Sequence, residues 1–252
     1  MSSTGPRRSG ACGRGARALR GKPQPRAQAT RQAILTAAAE HFGRNGYYGT
    51  SLDSVLADSG GTKGALYFHF ASKEALARAV IAEMVQRCRD LREQIRGRAL
   101  DPLSMLLALV DEVIARLLDD PIARGGTRLL NDLPVAQEQA HAHYDFVEQE
   151  AFNLLNQAEH AGLLREGVDL AVAARQIVAV VVGHRRICDA LGERQHFRQR
   201  VEQAWTLLLP AITTDAWLTA WRTSAAPGRA AEPRDGDGKG PRRHGGNATP
   251  GP

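Results

Sequence analysis

Residues 51–70 read S-L-D-S-V-L-A-D-S-G-G-T-K-G-A-L-Y-F-H-F, two short apolar-periodic runs split by a pair of glycines. Leu52, Val55 and Leu56 share one side of a helix predicted over 52–58, and Leu66 falls inside a second over 63–68. Thr50 or Ser51 can cap the first helix, Gly60-Gly61 closes it, and Thr62 opens the second. With Phe70, and with Ile34, Leu35 and Phe42 upstream, these apolar residues make a small core. Thr62, Lys63, Gly64, Tyr67 and His69 are then left facing outward. A helix-turn-helix needs this arrangement: one helix braces on the backbone while the next enters the major groove by its N-terminal end.

The outward residues have the matching chemistry. Gly64 and Ala65 are small enough for close approach to bases. Thr62 and Lys63 bring a hydroxyl and a cation to a helix N-terminus, which favours phosphate. Tyr67 offers a hydroxyl to phosphate, and Lys73 adds a cation at the start of the following helix. His69 reads as a backbone or packing residue rather than a general base, given its place inside the motif. The expected DNA contacts are Thr50, Ser51, Thr62, Lys63, Gly64, Tyr67, His69 and Lys73.

The fold class expected for the rest is all-α, because alternating β-branched strand patterns are absent. Thr30 can cap a first helix ending near Gly46. Ser72 opens a long helix to about Arg98. Asp101-Pro102 starts another that Pro121 ends, an acid cap followed by proline at the first helical position. Further helices are predicted over 122–130, 135–161, 170–191 and 195–209, with Pro210 breaking or kinking the last and 211–221 continuing helically. The longest apolar run, 177–182, is far short of the roughly 20 residues a spanning helix needs, so no membrane partner is expected.

Charge divides the chain more sharply than composition does. Residues 1–31 hold eight basic residues and no acid; residues 222–252 hold six basic and three acidic. The body between them keeps 19 basic and 24 acidic residues, so the net charge of +6 belongs to the ends. A uniformly basic surface is excluded, and a basic arm on a mildly acidic body is indicated. Both ends are rich in Gly, Pro and Ala and read as disordered. The expected organisation is a basic arm at 1–29, a helix-turn-helix head at 30–74, a ligand-binding and dimerisation domain at 75–221, and a tail at 222–252. Cys12, Cys88 and Cys188 are too scattered for a disulfide framework or a zinc site, which fits a reducing cytoplasm.

The sequence strongly resembles the TetR family of bacterial transcriptional repressors. The likeness is carried by T-K-G-A-L-Y-F-H-F-A-S-K-E-A-L at 62–76 and by A-A-E-x-F-x-x-x-G-Y-x-x-T-S-L at 38–52. It implies a three-helix DNA-binding head, a connecting fourth helix and a larger helical domain for ligand binding and dimerisation. A narrower resemblance, to the γ-butyrolactone autoregulator receptors that control antibiotic production, rests on residues 64–81, on 158–183 and on L-L-L-P-A-I at 207–212. Those receptors usually carry a tryptophan over the pocket. Here the corresponding neighbourhood is Tyr144-Asp145-Phe146-Val147-Glu148, with Val147 nearest to that position. The departure points towards "pseudo" receptors, which respond to antibiotics or their intermediates.

The expected partners are therefore double-stranded operator DNA, a small apolar effector and a second copy of the chain. Leu106, Val110, Ile114, Leu130, Tyr144, Val147 and Ile177 are candidate pocket residues, since a cavity in a helical domain is lined by such side chains. The helix at 170–191 is apolar nearly all round, which indicates burial against a second copy. Leu170, Val181, Trp205 and Leu208 are the candidate interface residues. No cofactor or metal is expected: Glu138 and His141 stand at i, i+3 but lack a third ligand, and His141 and His143 point about 200° apart on a helix, so the segment reads as a solvated face. No activated nucleophile or cofactor motif supports an enzyme. The alternative from another class is a nonspecific or architectural nucleic-acid binder acting through the basic arm.

Overall fold

The computed structural model describes residues 25–223. The disordered arm and tail expected from the sequence lie outside the described residues, except for their inner ends at 25–29 and 222–223. Ten α-helices follow one another among the described residues: α1 (Pro25–Gly49), α2 (Leu52–Ser59), α3 (Lys63–His69), α4 (Lys73–Arg96), α5 (Pro102–Asp119), α6 (Pro121–Asp132), α7 (Gln137–His160), α8 (Leu170–Leu191), α9 (Phe197–Ile212) and α10 (Asp215–Thr223). Among the described residues there is no strand, only an isolated bridge between Leu164 and Thr213. No helix among them is long and apolar enough to cross a membrane.

Caps set most of the boundaries. Ser51, Thr62, Ser72, Asp101, Asp120 and Asp169 each accept a backbone N–H from the first turn of the following helix. The first helix departs from the expected start. Thr30 donates its hydroxyl back to the Arg26 carbonyl at 3.0 Å from inside α1 instead of capping it. Pro25 suits a first helical turn, and Arg26, Ala27, Gln28 and Ala29 are strong helix formers, so the helix gains a turn and a half upstream. Gly46, at φ 71°, breaks α1 three residues before its end. Pro210 does not end α9, which runs two residues past it; its missing N–H removes one bond close to the terminus, where the loss is small.

Two hydrophobic clusters organise the molecule. The head cluster joins Ile34, Leu35, Phe42, Val55, Leu66 and Phe70 to Leu76, Val80 and Met84 of α4 and to Ile122, Leu129 and Leu130 of α6. The body cluster is built from α5, α7, α8, α9 and α10 around Leu107, Leu154, Ile177, Val201 and Trp205. Helix α4 belongs to both halves, since its later residues Leu91 and Ile95 pack with Ala108 of α5.

Helix α6 is the wedge between the halves. A Cβ at Gly125 would lie 2.4 Å from the Ala39 carbonyl oxygen of α1, and one at Gly126 would lie 2.6 Å from Met84 Cβ of α4. Only glycine lets three helices approach so closely. Arg128 of α6 then donates to the Gly43 and Arg44 carbonyls at 3.2 and 2.9 Å, fixing the end of α1.

Candidate functional site

The head presents α3 by its N-terminal end. Thr62 Oγ1 accepts the Ala65 N–H at 3.1 Å, which orders the first turn and leaves the hydroxyl proton free to donate. Lys63, Gly64 and Tyr67 are exposed beside it. A Cβ at Gly64 would meet nothing nearer than Thr62 Oγ1 at 4.0 Å. The protein's own packing therefore does not demand glycine there, and the open space faces whatever docks on α3. Ser51 is exposed and accepts the Ser54 N–H at 3.1 Å.

Three of the other expected contacts are more constrained. Thr50 is corrected: it is buried and donates its hydroxyl to the Gly46 carbonyl at 2.8 Å, so it closes the broken end of α1 rather than facing outward. His69 is half-buried, edge-on to Phe68 with ring centroids 5.0 Å apart. Lys73 is half-buried with its ammonium 4.6 Å above the Tyr47 ring, and burial pulls its pKa down. Two outward aromatics escaped the sequence reading: Tyr48 is 78% exposed and Phe68 81%. The helical wheel that turns Leu66 and Phe70 inward also turns Phe68 outward, so that signal was present.

The body holds a cavity of about 160 Å³ between α4, α5, α7 and α8. Its wall includes Leu106, Val110, Tyr144, Val147 and Ile177, five of the seven expected pocket residues. The other two are corrected. Ile114 packs in the body cluster and does not belong to the cavity wall, and Leu130 packs in the head cluster, because α6 turns its apolar side towards α1 and α4. The cavity is not wholly apolar. His143 lines it, and among the described residues its buried Nδ1 has no hydrogen-bond partner. This corrects the expected solvated face: His141 and Glu138 are exposed, but His143 turns inward. Burial holds its imidazole below the usual histidine range. Other polar groups of the wall are neutralised in pairs. Arg87 bonds Asp120 at 2.8 Å and Glu83 at 3.0 Å, while buried Glu150 is held by Arg92 at 3.0 Å and Arg96 at 3.1 Å. Cys88 also lines the cavity, where desolvation raises its thiol pKa.

The expected interface residues need redistribution. Trp205 is buried in the chain's own body cluster, and Val181 is half-buried in the cavity wall. Leu170 and Leu208 are half-buried against the same cluster. The exposed apolar residues of these two helices include Val172, Ala179, Ile187 and Leu191 on α8 and Leu207 on α9, the last 78% exposed. Val172, Ala179 and Ile187 recur near helical period, with exposed Gln176 and half-buried Gly183 between them, so they share one side of α8.

A family model described as bacterial regulatory proteins, tetR family, matches residues 34–80, and one described as tetracyclin repressor-like, C-terminal domain, matches 102–214. The A-factor receptor protein of Streptomyces griseus is 32% identical over 189 residues, which cover 75% of this chain and just under two thirds, 66%, of that protein. A gamma-butyrolactone receptor (ArpA-like protein) superposes with a TM-score of 0.64 at 27% identity, over 77% of this chain and 94% of its own. CprB from Streptomyces coelicolor, solved in complex with its biological operator sequence, gives 0.68 at 30% identity, over 78% of this chain and 94% of its own. These likenesses span the head and the body alike, and the motif on α3 falls inside the matched stretch. The chain belongs to the TetR family of bacterial regulatory proteins.

Proposed function

We propose that the protein is a homodimeric transcriptional repressor that leaves its operator when a small, mostly apolar effector fills the body cavity. The observation that carries this reading is the outward end of α3: a capped N-terminus, an uncommitted lysine and tyrosine, and a glycine whose open side the fold does not use. Thr62, Lys63 and Gly64 read bases, while Tyr67 and Ser51 hold phosphates. Two copies joined through the exposed side of α8 and Leu207 of α9 set two heads on successive major grooves. The likeness to the A-factor and gamma-butyrolactone receptors supports a butyrolactone, an antibiotic or an antibiotic intermediate as effector, and antibiotic or secondary-metabolite genes as targets. The site of action is the cytoplasm, where the DNA lies.

The coupling runs along α4. Its first residue, Lys73, follows α3 closely, and its Met84, Arg87, Cys88 and Leu91 line the cavity. An effector that fits only one position of α4 shifts the population towards that head spacing, by no more than its difference in affinity for the two states.

Lys63→Ala and Tyr67→Phe test the reading. Each should weaken operator binding by about 1–3 kcal/mol and leave fold and dimer unchanged. Wild-type affinity of both variants in a mobility-shift titration would refute the assignment. Equal weakening of operator and random DNA by Lys63→Ala would favour the nonspecific binder instead.

A further inference from the structure

A second cavity, of about 290 Å³, opens between α6 and the C-terminal half of α8, beside Gly43 of α1. Its wall carries five guanidinium groups: Arg124 and Arg128 from α6, Arg185 and Arg186 from α8, and Arg194 just beyond. Only two carboxylates, Asp132 and Asp189, face them. Asp132 takes Arg128 at 3.2 Å; Asp189 is divided between Arg185 at 2.9 Å and Arg194 at 2.7 Å. The Arg124 guanidinium donates to the Leu118 carbonyl. Among the described residues, neither Arg124 nor Arg186 has a carboxylate at ion-pair distance. Five positive charges against two negative leave the wall three charges in excess.

An excess of this kind in a partly enclosed space is costly without a counter-ion, because the charges repel through low-dielectric protein. Guanidinium forks are also the groups that match phosphate oxygens in pairs. We propose that this cavity binds a small polyanion of the phosphate class, carrying two or more negative charges. The site is separate from the effector cavity, yet the two share Arg185 and Leu117 in their walls. Arg128, which holds the end of α1, also faces the anion. The anion thus bridges head and body, and its binding is linked to that of effector and operator, reciprocally in each case.

The test is isothermal titration of the full-length chain with inorganic pyrophosphate at constant ionic strength, with sodium chloride as control. Saturable binding of one pyrophosphate per chain is expected, weakened about tenfold or more in Arg186→Ala and in Arg124→Ala. Arg186 is exposed and makes no ion pair among the described residues, so Arg186→Ala keeps the fold and decides the matter even if Arg124→Ala does not. Competition by ADP would assign the site to a nucleotide diphosphate; failure of ADP to compete would assign it to the free anion. Pyrophosphate binding that is absent from wild type, or unchanged in Arg186→Ala, would overturn the proposal. The second result would move the anion to the basic N-terminal arm.

Discussion

Gly125→Ala should destabilise the protein although it improves helix propensity. The new Cβ would stand 2.4 Å from the Ala39 carbonyl oxygen and 2.9 Å from Ala39 Cα. Both are backbone atoms in the middle of α1, so no side chain can swing aside. Relief requires α1 and α6 to move apart by about an ångström, against the head cluster packed on both. Overpacking of this kind costs about 1–3 kcal/mol, and backbone on both sides puts the site at the upper end. Alanine returns about 1 kcal/mol of propensity. The net loss is about 2 kcal/mol, or about 4–8 °C in melting temperature for a chain of this size. Gly43→Ala, at the same crossing, is the control. Its Cβ would meet Arg124 Cβ and Gly125 N at an ordinary 3.5 Å, so that variant should be neutral or slightly stabilised. Thermal and urea unfolding, followed by circular dichroism, compare the pair. A Gly125→Ala protein as stable as Gly43→Ala would refute the close-approach argument.

Leu207→Glu should give folded monomers: the side chain is 78% exposed in the single chain, so only an intermolecular contact can be lost. Sedimentation showing an unchanged dimer would place the interface elsewhere. The third expectation concerns acid. His143 is held below its usual range by burial, so above the unfolded value of about 6.5 both states are neutral and stability is whole. As pH falls through that value the unfolded chain alone takes up the proton, and stability drains until the folded value is passed. His143→Phe should lose less stability than wild type over that interval in urea titrations at a series of pH values; identical losses would show that the imidazole is not desolvated.

Local chemistry was the readable part. Ser51, Thr62, Ser72 and Asp101, read as caps from the sequence, do cap their helices, because a cap is a short-range bond between neighbours, whereas Thr30 and Thr50 do not. The core of the helix-turn-helix was readable for the same reason, through Val55, Leu66 and Phe70. Three of the failures concern which of several neighbours an apolar side chain meets. Leu130 and Ile114 have the composition of pocket residues but turn to other surfaces, and Trp205 fills its own core rather than a partner's. Thr50 looked like an exposed cap until the break at Gly46 gave its hydroxyl a carbonyl to satisfy. The role of Gly125-Gly126 left no periodic signal, since a glycine chosen for a close crossing looks the same as one chosen for a turn.

The aromatic residues fall unevenly between the two halves, and this gives the molecule two optical labels of its own. All three tryptophans, Trp205, Trp217 and Trp221, are buried in the body; the last two are stacked 6.2 Å apart, and the Trp217 indole donates to Asp101 at the start of α5. Three of the four tyrosines, Tyr47, Tyr48 and Tyr67, belong to the head. Tryptophan emission therefore reports the body and is blind to melting of the head. Tyrosine excitation weights the head. The fourth, Tyr144, sits in the wall of the cavity between α4, α5, α7 and α8, within the half that the tryptophans report. A denaturation followed at both wavelengths would reveal, without any attached dye, whether head and body unfold together or one after the other.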